Sequence, residues 1–111
     1  GLLSDARYAE QRARTAERRG WGPMRLQQDL RTAGVAPELA APVLATLDRQ
    51  GAQRARAVRI RRFGRAVPEK AEDTARQIRF LRGRGFTSGQ IRYALELGRD
   101  DDFGVGVDDE Q

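Results

Sequence analysis

The sequence predicts an all-α fold, a helical array made by repeating one supersecondary unit. Three observations predict it. Apolar residues recur at helical spacing along most of the chain, as on one face of a 3.6-residue period. No segment alternates with period two, so no sheet is expected. The stretch Ala13-Arg14-Thr15-Ala16-Glu17-Arg18-Arg19-Gly20-Trp21-Gly22-Pro23-Met24-Arg25-Leu26 is echoed 65 residues on by Ile78-Arg79-Phe80-Leu81-Arg82-Gly83-Arg84-Gly85-Phe86-Thr87-Ser88-Gly89-Gln90-Ile91. In both copies a basic helix ends at glycine, an aromatic follows, and a new helix opens. Between 6–30 and 71–95 the identical positions are Ala6/Ala71, Arg14/Arg79, Arg19/Arg84, Gly20/Gly85 and Leu30/Leu95, so the echo lies in the grammar more than in identity. Repetition of a whole unit gives an extended surface suited to a large partner.

Six helices are expected. Ser4 or Asp5 caps the first, whose small apolar stripe is Ala6, Ala9, Ala13 and Ala16, and Gly20 ends it. Gly22-Pro23 starts the second, with proline at the first helical position where a missing N–H costs nothing. Met24 or Leu26, with Leu30 and Ala33, forms its buried side, and Gly34 supplies a left-handed cap. The third begins near Pro37 and buries Leu39 or Ala40, Val43, Leu44 and Leu47. Pro42 either kinks it or moves its start later. Gly51 marks a boundary before a fourth helix, Ala52 to Phe63, closed by Gly64. Pro68 opens a fifth with Ala71, Ala75, Ile78 and Leu81 inward, ended by Gly83 or Gly85. Thr87 with Gln90 fits a capping box for a sixth carrying Ile91, Ala94 and Leu95, and Gly98 ends it. Residues 99–111 are acidic and Gly-rich with little to bury, and are expected to be disordered or loosely docked.

Composition narrows the function. The 111 residues make one modest domain, or a piece of one, burying roughly 65% of the unfolded surface. No run approaches the ~20 apolar residues of a membrane span and no signal peptide opens the chain. It begins without an initiator Met, as an excised piece would. Zero Cys excludes disulfides and thiolate chemistry and fits a reducing cytoplasm; zero His removes the commonest general base and metal ligand. Residues 1–98 hold 20 basic and 10 acidic side chains, net +10, whereas 99–111 carry net −5. Of the 21 basic residues only Lys70 is lysine. Arginine's planar fork suits bidentate contact with carboxylate or phosphate, although a GC-biased genome yields the same preference.

The arginines are the leading candidate site. Arg7, Arg14 and Arg18 share one face of the first helix, and Arg12 and Arg19 another. Arg54, Arg61 and Arg65 line up on the fourth with Arg62 beside them, Arg76, Arg79 and Arg82 on the fifth, and Arg25 and Arg92 project from the second and sixth. Singly, each reads as a solvated residue paired with Glu10, Glu17, Glu69, Glu72 or Asp73, worth at most ~1 kcal/mol. Collectively, the surplus of positive charge calls for an acidic partner. Trp21 and Phe86 read as staples between helices, with base stacking as the alternative. A helix-turn-helix reading meets few base-reading residues: Arg25, Gln27 and Gln28, or Gln90 and Arg92. Asp100-Asp101-Asp102 lacks a rigid surround for a cation, and no phosphate-binding glycine loop is present.

Three motifs then point to a family. Gly1-Leu2-Leu3-Ser4-Asp5-Ala6-Arg7-Tyr8-Ala9 resembles a Gly-Tyr-Leu-Asp-Asp-x-Arg-Phe-Ala signature, with Ser4 replacing its first Asp. Arg19-Gly20-Trp21-Gly22-Pro23-Met24-Arg25-Leu26-Gln27-Gln28-Asp29-Leu30 is similar to Arg-Gly-aromatic-Gly-Pro-x-Arg-Ile-x-x-Glu-Leu, with Asp29 for Glu. Arg79-Phe80-Leu81-Arg82-Gly83-Arg84-Gly85-Phe86-Thr87-Ser88, followed by Ile91-Arg92-Tyr93-Ala94-Leu95, resembles an Arg-Phe-Leu-x-x-Arg-Gly-Phe-Ser repeat. The family is RecX, the bacterial regulator of the RecA recombinase, and the likeness covers residues 1–98. It implies tandem three-helix repeats in a curved array: 1–50 as the family's second repeat and 51–98 as its third, the repeat that usually precedes them being absent. It implies a non-enzymatic protein of DNA repair, homologous recombination and the SOS response. Such a protein binds the groove of the RecA–single-stranded-DNA filament and restrains strand exchange, ATP hydrolysis and coprotease activity. No cofactor, metal, small-molecule substrate or membrane is implied. Carried over by motif position, the partner-binding residues are Arg14, Arg25, Arg79, Arg84 and Arg92. A free-standing nucleic-acid-binding module and a structural helical adaptor are the alternatives.

Overall fold

A computed structural model describes residues 2–98, so the acidic segment 99–111 lies outside the described residues. Five helices follow one another: α1 (Leu2–Arg19), α2 (Pro23–Thr32), α3 (Pro37–Phe63), α4 (Ala71–Gly83) and α5 (Ser88–Ala94). Among the described residues there is no strand, and no helix is long and apolar enough to cross a membrane. The all-α expectation holds.

The count of six does not hold, because the third and fourth expected helices are one. α3 runs unbroken for 27 residues through Gly51, which was expected to end a helix. The reason is tertiary. Gly51 is buried, and a Cβ there would overlap the side-chain amide of Gln90. This glycine permits a close approach and breaks nothing. The helix also runs through Pro42, which therefore does not move its start. Pro37 takes the first helical position, and Pro42 is exposed, leaving the Glu38 carbonyl to solvent.

Two hairpins lie on this spine. α1 and α2 close the first core: Ala9, Ala16, Trp21, Leu26, Leu30 and Val35 pack with Ala40 and Leu47 of α3. Small alanines on α1 let its backbone approach the spine closely. Leu26, not Met24, is the buried residue, and Ala40 is more deeply set than Leu39. α4 and α5 close the second core, where Leu81, Phe86, Ile91, Ala94 and Leu95 pack on Ala55. Phe63 meets Phe80 edge-to-face at 5.4 Å. The 65-residue echo therefore relates hairpin α1–α2 to hairpin α4–α5, with α3 shared between them. Ala33 and Ala71, expected inside, are exposed at helix ends.

The helix ends follow the chemistry read from sequence. Gly20 and Gly85 take positive φ, and the next N–H reaches back five residues: Trp21 to the Ala16 carbonyl at 2.9 Å, Phe86 to that of Leu81 at 3.2 Å. This is the Schellman pattern, with the aromatic as its hydrophobic contact. Gly34 repeats it, Val35 donating to Leu30 at 3.0 Å. The capping box forms as expected: the Gln90 amide donates to Thr87 Oγ1 at 3.2 Å, and the Thr87 amide to Gln90 Oε1 at 2.9 Å. Two ends differ. α1 extends back to Leu2, so Ser4 and Asp5 lie in its first turn. α5 stops at Ala94, before Gly98, because Glu96 takes the left-handed position (φ 57°) and Leu97 donates to the Arg92 carbonyl.

The two echoed turns touch. The Gly22 amide donates to the Arg84 carbonyl at 2.7 Å, and the Met24 amide to that of Gly85 at 2.8 Å. The C-terminus of α4 thus abuts the N-terminus of α2, and each satisfies backbone groups the other leaves open. A Cβ on Gly22 would overlap the Gly85 carbonyl, although its φ of −91° suits any residue. Gly22→Ala is therefore expected to lose about 3 kcal/mol by overpacking a rigid backbone contact. Gly34→Ala, in open space at φ +79°, is expected to lose only about 1 kcal/mol of left-handed strain. Urea unfolding compares the two, and equal losses would show that backbone strain alone governs these turns. Trp21, 8% exposed, is expected to cost ~3–5 kcal/mol on replacement by alanine. A loss under about 1 kcal/mol would argue that the ring is no staple.

Candidate interaction surface

The contact between turns gathers guanidinium groups. Trp21 lies beneath Arg25, whose charge centre stands 3.9 Å from the ring centroid, with Arg12 and Arg19 each 5.6 Å away. An indole face attracts such cations electrostatically, so the ring both fills the core and orients charge above it. Arg12 is also tied to Asp29 at 2.6 Å, joining α1 to α2. Beside this stack a groove of about 500 Å³ runs between α2 and the end of α4, its walls including Met24, Arg25, Gln28 and Arg82. Met24 is 53% exposed there. The groove offers fork-shaped donors around one apolar thioether, a combination suited to acidic protein surface.

The five arginines named from sequence divide. Arg25 stands at the groove. Arg84 is drawn into the architecture: its Nη1 donates to the Arg19 carbonyl at 2.8 Å, and its guanidinium lies 5.0 Å from the Phe80 ring centroid. It caps α1 from the echoed position of the other hairpin. Arg14 and Arg79 occupy exposed faces of α1 and α4, and Arg92 is half-buried on α5. The structure thus brings Arg25 and Arg84 to one junction and leaves the other three on their own helices.

Two arginines of α3 hold the fold in ways the sequence reading missed. Arg54 Nη2 donates to the Ala16 carbonyl at 3.0 Å, adding a cation to the negative end of α1, while its Nη1 is buried without a partner. Burial pushes its pKa down, and Glu17 partly offsets this. Arg59 is wholly buried. Its Nε donates to the Ala94 carbonyl at 2.7 Å, its Nη1 to Gly64 and Ala66, and its Nη2 to Arg65. Burial lowers its pKa first, nearby Arg56 lowers it further, and Glu96 opposes both. Each remains charged, since guanidinium does not lose its proton in proteins. The signal for Arg59 was present: Leu47, Gly51 and Ala55 recur every four residues, and the next step on that buried stripe is Arg59.

Few arginines meet a carboxylate among the described residues. Arg12–Asp29 and Arg76–Asp73 are the ion pairs seen among the described residues. The expected pairing with Glu10, Glu17, Glu69 and Glu72 is not seen there. Nor does any group of acidic, His or Cys side chains among the described residues suit a metal ion.

Comparison with known proteins places this architecture. The family model described as RecX, second three-helix domain, matches residues 4–44, and that described as RecX, third three-helix domain, matches 48–95. The protein named Regulatory protein RecX in Acidithiobacillus ferrooxidans is 47% identical over 103 residues, covering 93% of this chain and 65% of the relative. Its namesake in Halorhodospira halophila is 43% identical over 102 residues, covering 92% of this chain and 63% of the relative. That of Vibrio cholerae is 37% identical over 102 residues, covering 92% and 67%. No solved structure matches. The chain spans about two thirds of the length of these relatives, and across that span both domain matches and identity agree: it belongs to the RecX family of regulatory proteins.

Proposed function

We propose that this chain is a non-enzymatic regulator that binds the RecA–single-stranded-DNA filament in the cytoplasm and inhibits its recombinase, ATPase and coprotease activities. The observation that carries the reading, beside family membership, is the arginine-rimmed groove where the two hairpins meet. Arg25 and Arg82 line it outside ion-pair range of any carboxylate among the described residues, its one acidic wall residue, Asp29, being paired with Arg12, and Met24 gives it an apolar foothold. Such a surface fits a carboxylate-bearing protein face better than it fits a small substrate. Arg14, Arg79 and Arg92 extend the contact along the helices, and Arg84 acts by fixing the junction. The units 1–50 and 51–98 work as two repeats joined through α3, so both hairpins engage a long partner together.

A second reading, general DNA binding, rests on the same net charge and separates cleanly. A general DNA binder gains nothing when recombinase coats the DNA, whereas a filament binder sediments far more strongly with the recombinase–DNA filament than with DNA alone. Charge reversal at Arg14 and Arg25 together is expected to weaken inhibition of the recombinase ATPase roughly ten-fold or more, since close interfacial charge pairs couple by about 1.5 kcal/mol upward. Helicity by circular dichroism should stay unchanged. Full inhibition by the folded double variant would remove both residues from the interface.

A further inference from the structure

A second cationic surface lies elsewhere, where the end of α3 faces α5. Arg56, Arg61 and Arg65 surround a concavity of about 520 Å³ whose walls include Gln53, Ile60 and Tyr93. All three arginines are exposed, and none has a carboxylate within ion-pair distance among the described residues. Tyr93 is 48% exposed, in contrast to the buried Trp21 and Phe86.

This surface is held in shape from below. Arg59 donates to the carbonyls of Gly64, Arg65 and Ala66, fixing the loop that carries Arg65 against the last turn of α3 that carries Arg61. The same guanidinium binds the Ala94 carbonyl, one residue after Tyr93. One buried cation thus sets the spacing of both walls. Like charges raise each other's energy, and Arg56 stands close enough to be felt by Arg59. Last-turn arginines are favoured by the helix dipole, but Arg56, in the interior of α3, has no such reason to be there. The mutual repulsion of the cluster would be relieved by a polyanion laid across it.

From these observations we propose that the Arg56–Arg61–Arg65–Tyr93 concavity is a single-stranded nucleic-acid site, distinct from the groove at the hairpin junction. Guanidinium forks take successive phosphates, and the phenol ring gives a face on which one base stacks. An acidic protein segment would meet the guanidinium groups too, but it offers no planar base for the exposed Tyr93 ring. The site needs no recombinase, so its failure would leave the filament reading untouched.

The test is fluorescence anisotropy of labelled oligo-dT with the full chain and no recombinase. Affinity is expected to fall with salt at a log–log slope of about −0.7 per phosphate neutralised. Replacing Arg61 and Arg65 together by alanine should make that slope shallower by about 1.4 and weaken binding at low salt. Tyr93→Ala should weaken binding about five- to hundred-fold, the worth of one stacked base, without altering the slope. Circular dichroism checks that each variant is folded, and Arg56→Gln gives a milder alternative for any that is not. Inorganic polyphosphate, which has no bases, should be indifferent to Tyr93→Ala. Absence of salt-dependent binding to oligo-dT, or binding unchanged in the folded variants, would overturn the proposal. So would equal loss of polyphosphate and oligo-dT binding on Tyr93→Ala, which would mark a general anion patch.

Discussion

Two backbone hydrogen bonds, from the Gly22 and Met24 amides to the Arg84 and Gly85 carbonyls, set the arrangement on which everything else depends. They place the negative end of α4 on the positive end of α2, so the dipoles run head to tail and open backbone groups satisfy one another. Only glycines at 22 and 85 let the two backbones come this close. Every other feature of the junction follows from that approach. Arg25 is pressed over Gly85 and onto Trp21, and Arg84 is left within reach of the Arg19 carbonyl. The echo then departs where it must. α2 opens with Gly22 and Pro23 because α4 completes it, whereas α5 opens with Thr87 and caps itself through Gln90.

The arginines sort by what their charge meets. Arg54, Arg59 and Arg84 are spent on backbone carbonyls, where a guanidinium offers several donors to groups that helix ends leave unpaired. Arg12 ties α1 to α2 through Asp29. Of the arginines that remain outward, Arg25 and Arg82 line a concavity beside Trp21, and Arg56, Arg61 and Arg65 line one beside Tyr93. So many cations with so few ion pairs among the described residues are poorly explained by stability, because exposed pairs contribute little in any case. Placement near rigid junctions gives these side chains fixed geometry, which recognition requires and solubility does not.

Much of this was legible in the sequence because it is local. The capping box at Thr87, the left-handed glycines at 20, 34 and 85, and the alanine stripe of α1 each follow from a few neighbouring residues. The repeat grammar, and with it the family, was legible too. What escaped was non-local. Gly51 carries the same letter whether it ends a helix or admits Gln90 from another one, and only the partner decides. Arg59 lay on a readable stripe, yet its burial depends on carbonyls of a loop and of α5 that no window around it contains. Of the five named arginines, position along a motif could not tell that Arg84 turns inward while Arg25 stays at a groove.

The unbroken α3 has a mechanical consequence. Twenty-seven helical residues make a rod about 40 Å long at roughly 1.5 Å per residue, and Gln90 bolts a hairpin to its midpoint through Asp48. The interval between the hairpins is thereby held twice, by this shared helix and by the backbone contact of Gly22 with Arg84. For a long partner of the kind proposed above, that fixed interval would select by spacing as well as by chemistry.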